Sequence, residues 1–272
     1  ASVGQMNVIF VPETAPQAKI AQLLVFGSRV ILVKGSYDDA FELCLKAAKT
    51  YDWYNRNSGY NPYMTEGKKT AAYEICEQLE WEAPDRIFVS VGDGCIIGGL
   101  HKGLKDLLAL GWIDKLPKLV GVQAVGSSYL YTAWKNGEDI LTKPPIIAQT
   151  VADSISSGLP SDRIKALAAV TETGGAYICL SDDEILAAIP ELARSTGVCA
   201  EPAGAAAYAG LVKAVDKRLV SPDEKIVVLN TGNGLKDVAG AMQAVDLVKT
   251  RPFRVMPDMA ALKRVVAGWG ED

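Results

Sequence analysis

The run SVGDGCIIGG, residues 90–99, offers the chain's most suggestive chemistry. A β-rich stretch over 86–91 leads into it, and helical spacing leaves it. Gly92 and Gly94 carry no Cβ, so their backbone can approach an anion closely. The first N–H groups of a helix starting near Ile96 lack partners within the helix and hold the positive end of its dipole. Gly92, Asp93, Gly94, Cys95 and Ile96 thus form a candidate phosphate site. The spacing is neither Walker A nor a full G-x-G-x-x-G with its acidic residue about 20 positions on. The same residues also read as a tight turn, with Gly98 and Gly99 packing a helix against a sheet.

Two further stretches have the same strand–turn–helix character. In IVVLNTGNGLKD, 226–237, Thr231 falls at a strand's carboxyl tip, its hydroxyl aimed at the same crevice or capping the helix that carries Lys236. In GVCAEPAGAAAYAGL, 197–211, Pro202 suits the first helical position and Glu201 the positive helix end. The loop NRNSGYN supplies Asn57, Ser58 and Asn61, beside Asn55 and Arg56, as donors for an anion or carboxylate; these are also turn formers. His101 fits a packing or surface position in its helix better than acid–base work. Cys95 reads as a small filler, although a helix N-terminus can acidify a thiol. Ser181 caps a helix beginning at Asp183 and Glu184.

The elements that must position these residues alternate. Strands are expected at 7–11, 29–33, 86–91, 119–124 and 225–230. Helices are expected at 16–26, 37–50, 65–79, 96–110, 127–135, 161–170, 182–195 and 203–215, with a mostly helical end. This order predicts an α/β protein with mostly parallel twisted sheets and helices on both faces. Ligands then sit at the carboxyl ends of the strands. A boundary at 81–84 divides a smaller domain, 1–80, from a larger one, 81–272.

Composition narrows the function. The 272 residues are 49% hydrophobic with a net charge of −4, and the 28 Lys and Arg are scattered, which speaks against nucleic acid. No run of about eighteen apolar residues occurs, so no membrane partner is expected. The five cysteines lack C-x-x-C pairing, and a single histidine argues against His-based triads and metal sites. A reducing cytoplasm is the expected home.

Taken in order, several motifs resemble threonine synthase, a family of fold-type II pyridoxal-phosphate enzymes. They are FVPETAPQAKIAQLLVFGSRVILVKGSYDDA (10–40), NPYMTEGKKT (61–70), SVGDGCIIGGLHKG (90–103), GVQAVGS (121–127), TVADSI (150–155), SDDEIL (181–186), EPAGAAA (201–207) and NTGNGLKD (230–237). The resemblance implies pyridoxal 5'-phosphate as cofactor, with Gly92, Asp93, Gly94, Cys95 and Ile96 lining its phosphate and Thr231 hydrogen-bonding its pyridine nitrogen. It implies conversion of O-phosphohomoserine and water to threonine and phosphate, in a homodimer; Asn57, Ser58 and Asn61 of the polar loop are the candidate donors to that substrate.

The chain departs from that pattern. The family's S-F-K-D-like segment, with its Schiff-base lysine, and the Ser/Thr-Gly-Asn stretch after it are not found, so an N-terminal part of the architecture is expected to be missing. No other lysine matches the role: Lys19, Lys68, Lys69 and Lys236 fall at other motif positions. Met64 stands where some relatives carry a phosphate-holding arginine. The chain alone is therefore expected to be inactive until completed by an N-terminal segment. The alternatives are a non-catalytic binder of pyridoxal phosphate or another phosphate ester, and a sister activity such as cysteate synthase or threonine dehydratase.

Overall fold

Two separate sheets form, and every strand pairing in both is parallel. The computed structural model describes residues 1–270. Strands β1 (Val8–Pro12) and β2 (Arg29–Val33) make a two-stranded sheet, with helix α1 (Gln17–Val25) between them and α2 (Tyr37–Thr50) after them. Ser36 and Asp39 cap α2 reciprocally, each side chain accepting the other's backbone N–H. Helices α3 (Pro62–Lys68) and α4 (Thr70–Gln78) then lead to β3 (Arg86–Ser90). The second sheet adds β4 (Lys118–Ala124), β5 (Ala176–Leu180) and β6 (Ile226–Leu229), in the order β5-β4-β3-β6. Helices α5 (Cys95–Ala109), α6 (Tyr129–Asn136), α7 (Arg163–Glu172), α8 (Asp182–Thr196) and α9 (Pro202–Asp216) connect its strands. Helices α10 (Val238–Leu247) and α11 (Met259–Ala267) follow β6.

Strand alternation divides the core of this second sheet. Ile87, Val89, Leu119 and Tyr177 face one side, where they meet α4, α5 and α7 through Cys76, Leu100, Leu104, Ala166 and Val170. Their neighbours Phe88, Val120, Val122 and Ile178 face the other side and meet α8 and α9 through Ile185, Ala203, Ala206 and Ala207. A period of two presents alternate residues to opposite faces, so both faces of the sheet are buried.

At the end remote from the strands' carboxyl tips, Asp85 joins three strand starts. Its N–H donates to the Lys225 carbonyl at 2.8 Å, and its carbonyl accepts the Lys118 N–H at 3.0 Å. Its carboxylate accepts the Lys225 N–H at 2.8 Å and the Lys115 ammonium at 2.6 Å. The Lys115 hydrogen bond and the Lys225 N–H hold that carboxyl below the usual range.

Three local expectations differ from the structure. Ala176–Leu180 is an edge strand, although its short run after Gly174-Gly175 carries no alternation of polar and apolar residues. The helix expected over 65–79 starts earlier, with Pro62 in its first turn and Asn61 as cap, and divides at Lys69. That division lets α3 and α4 each lie along α5, where a Cβ on Gly99 would come within 2.6 Å of the Lys68 Cβ and one on Gly103 within 2.8 Å of the Lys69 carbonyl. The glycines of α5 therefore pack helix against helix, and Gly98, facing Lys165 of α7, does the same.

Candidate functional site

The carboxyl ends of β3 and β6 open onto a cavity of about 800 Å³, walled on its far side by β1, α1 and the start of α2. That volume suits a small-molecule ligand. Gly92, Asp93, Gly94, Cys95, Ile96 and Thr231 all line it. The glycine turn and the threonine, about 135 residues apart in sequence, are thus brought to one cavity.

The turn 92–96 is shaped by what stands behind it. Gly94 caps α5 in the left-handed conformation, at φ +87°. A Cβ there would come within 2.5 Å of the Ala166 Cβ, and one on Gly92 within 2.8 Å of the Ile155 Cα. The N–H groups of residues 92–96 make no hydrogen bond among the described residues. Ser90, 4% exposed, also lines the cavity, and its Oγ has no partner among the described residues. Free amides at a helix start beside an unpaired buried hydroxyl form a donor set for a phosphate group.

Asp93 plays a different part from the neighbouring amides. One carboxylate oxygen accepts the Tyr37 hydroxyl at 2.7 Å. The other accepts the Ser157 hydroxyl at 3.1 Å and the Ser161 N–H at 3.2 Å. Burial, then the Asp93 charge, push the Tyr37 hydroxyl far above the ordinary phenol range, so it remains a donor. Next to it, Asp38 accepts the Gly158 N–H at 3.1 Å, and burial pushes its carboxyl up.

Across the cavity, Thr231 is exposed and caps nothing; Asn233 accepts the Leu235 N–H instead. The turn carrying Thr231 is fixed to the start of α9, where the Glu201 N–H donates to the Gly232 carbonyl at 3.0 Å. Glu201, 5% exposed, faces Lys19 of α1 at 3.4 Å, and Lys19 also meets Asp153 at 3.0 Å. Burial alone would lower the Lys19 ammonium, but Asp153 and Glu201 outweigh it and hold it above its ordinary value.

The polar loop is only partly turned to this space. Ser58 lines the cavity and accepts the Lys68 ammonium at 3.4 Å. Asn57 instead accepts the Cys44 thiol at 3.3 Å. Asn61 is taken up by Tyr54, the Asn55 carbonyl and the Tyr63 N–H, which it caps. Lys68 and Lys236 reach the cavity wall along with Lys19. His101 is buried inside α5, away from the cavity lining, 3.3 Å from Glu172.

Sequence reasoning assigned no role to Tyr37, Asp38, Ser90 or the turn 154–158. The run of Ser154, Ser156, Ser157 and Gly158 was the available signal, since such residues crowd turns whose polar groups need partners.

A parallel α/β sheet with an amide cradle at one strand tip and a lone hydroxyl at another matches the fold-type II class of pyridoxal-phosphate enzymes, and the residues present fit that cofactor's phosphate. The model of the family "Pyridoxal-phosphate dependent enzyme" matches residues 2–232. The chain is 39% identical over 265 residues to threonine synthase of Methanocaldococcus jannaschii, covering 97% of this chain and 64% of that protein. It is 36% identical to threonine synthase of Mycobacterium bovis, covering 94% of this chain and 68% of that one. Among solved structures, the processed form of threonine deaminase isoform 2 from Solanum lycopersicum superposes with a TM-score of 0.71 at 22% identity, covering 90% of this chain and 67% of that chain. A fungal L-serine ammonia-lyase from Rhizomucor miehei gives 0.71 at 22% identity, covering 89% and 75%. These two establish the shared fold. The chain belongs to the pyridoxal-phosphate dependent enzyme family and, within it, to the threonine synthase family, whose cofactor is pyridoxal 5'-phosphate. It spans about 60–64% of the length of the first two curated relatives it matches.

Proposed function

We propose that this chain supplies the cofactor-phosphate seat, the pyridine contact and part of the substrate cavity of a threonine synthase, which converts O-phosphohomoserine and water to threonine and phosphate. The observation that carries this is the meeting of the 92–96 turn and Thr231 on one cavity. When bound, pyridoxal 5'-phosphate supplies the electron sink for elimination and replacement at the substrate's side-chain carbons. The amides of 92–96 and the Ser90 hydroxyl hold its phosphate. Thr231, a neutral hydroxyl, contacts the pyridine nitrogen without holding it protonated as a carboxylate would. Ser58 stands on the substrate side, with Asn57 and Asn61 shaping the loop that carries it. Lys19 and Lys68 are hydrogen-bonded to other side chains and Lys236 belongs to the turn that carries Thr231, so this reading gives the attachment of the cofactor to none of the three lysines on the cavity wall. On the same reading the working enzyme is completed by a segment carrying that lysine and is a homodimer in the cytoplasm.

Phosphate release from O-phosphohomoserine tests this directly. The chain alone should release none, while co-expression with the family's lysine-bearing segment should restore release together with a visible aldimine absorption band. A soluble, associated pair with neither would refute it.

A further inference from the structure

The carboxylate inside the anion seat needs an explanation, because a negative charge there opposes a phosphate. Four donor contacts compensate the Asp93 carboxylate and hold it against other elements. They come from Tyr37 at 2.7 Å, the Ser157 hydroxyl at 3.1 Å, the Ser161 N–H at 3.2 Å and the Ser161 hydroxyl at 3.4 Å. Its backbone carbonyl accepts the Asp162 N–H at 2.9 Å. Of these partners, Tyr37 alone comes from the two-stranded unit; it is the first residue of α2. Its neighbour Asp38 reaches the same loop through the Gly158 N–H. Tyr37 keeps 40% of its surface accessible while its hydroxyl end is buried, and the hydroxyl contact ties it to the turn.

We propose that Tyr37 is a positioning residue: through Asp93 it holds the 92–96 turn in its anion-receiving shape and makes the seating of the cofactor's phosphate depend on where the two-stranded unit sits. Two strand units face each other across the cavity, and among the described residues the Tyr37–Asp93 hydrogen bond joins the two-stranded one to the phosphate turn itself. When the unit moves away, that bond breaks, and Asp93 loses one of its four donor contacts, the one that reaches it from α2. This inference rests on 92–96 being the phosphate seat.

The test compares pyridoxal 5'-phosphate with pyridoxal, which lacks the phosphate, by calorimetric titration of the full chain and its Tyr37→Phe variant. Loss of one hydrogen bond to a charged acceptor predicts that Tyr37→Phe binds the phosphorylated form roughly ten-fold more weakly, with pyridoxal unchanged. A purely structural role would weaken both alike. Hydrogen exchange supplies a second readout. The phosphorylated ligand should slow exchange at 36–40 as well as 92–97 in the parent chain, but only at 92–97 in the variant. A phosphate preference and 36–40 protection that survive intact in Tyr37→Phe overturn the proposal alone. A parent chain that takes both ligands equally overturns the phosphate seat and the proposal with it.

Discussion

Replacing Gly94 with alanine should cost far more than a surface glycine would, for two separable reasons. The residue sits at φ +87°, where an L side chain pays about 1–2 kcal/mol. The new methyl would also lie 2.5 Å from the Ala166 Cβ on α7, and overpacking of that kind costs about 1–3 kcal/mol. Together the loss is about 2–5 kcal/mol, a large share of the roughly 5–15 kcal/mol that stabilises a typical domain. Urea unfolding of the full chain measures it. The contributions separate in a double-mutant cycle with Ala166→Gly, which removes the opposing methyl and itself costs about 1 kcal/mol as a helical glycine. The pair should recover about 1–3 kcal/mol relative to the sum of the singles, leaving the backbone share. Losses that add within about 0.5 kcal/mol would show that the methyl clash is not what excludes a side chain there.

Ser181→Ala removes one half of the reciprocal cap on α8, in which Ser181 accepts the Glu184 N–H and Glu184 the Ser181 N–H, and should cost about 0.5–2 kcal/mol in urea unfolding. An unchanged midpoint would remove the cap from the account of why α8 starts there. His101 is 7% exposed, and burial lowers its pKa, against Glu172, which raises it, and with Lys105, which lowers it further. The unfolded chain therefore takes up the proton first, so the stabilising share is complete above about pH 6.5 and drains away as pH falls through the folded value. Urea midpoints should drop more between about pH 7.5 and about pH 5.5 in the parent than in His101→Gln; equal drops would refute the buried neutral imidazole.

Much of this architecture was legible because the sequence punctuates itself. Strand β2 and helix α2 lie where the apolar and helical spacing placed them, at 29–33 and 37–50. Helix α8 runs through Pro190 as its spacing implied. The strand at 176–180 was hidden because both its faces are buried, so no polar residue marks its period. The division of α3 from α4 depends on the glycine stripe of α5, a contact between segments about 30 residues apart. At the site, glycine content and strand–turn–helix order signalled the 92–96 turn and Thr231. Tyr37 carried no local sign, because its partner, Asp93, lies far along the chain and a hydroxyl donor looks like any other polar residue until the fold brings the two together.

The Asp85 junction gives the larger sheet a fixed floor. The beginnings of β3, β4 and β6 are sewn to this one residue, which fixes their mutual register at that end. A substitution at Asp85 would therefore loosen three strand starts at once, at the end of the sheet opposite the ligand-facing turns and without touching anything that lines the cavity.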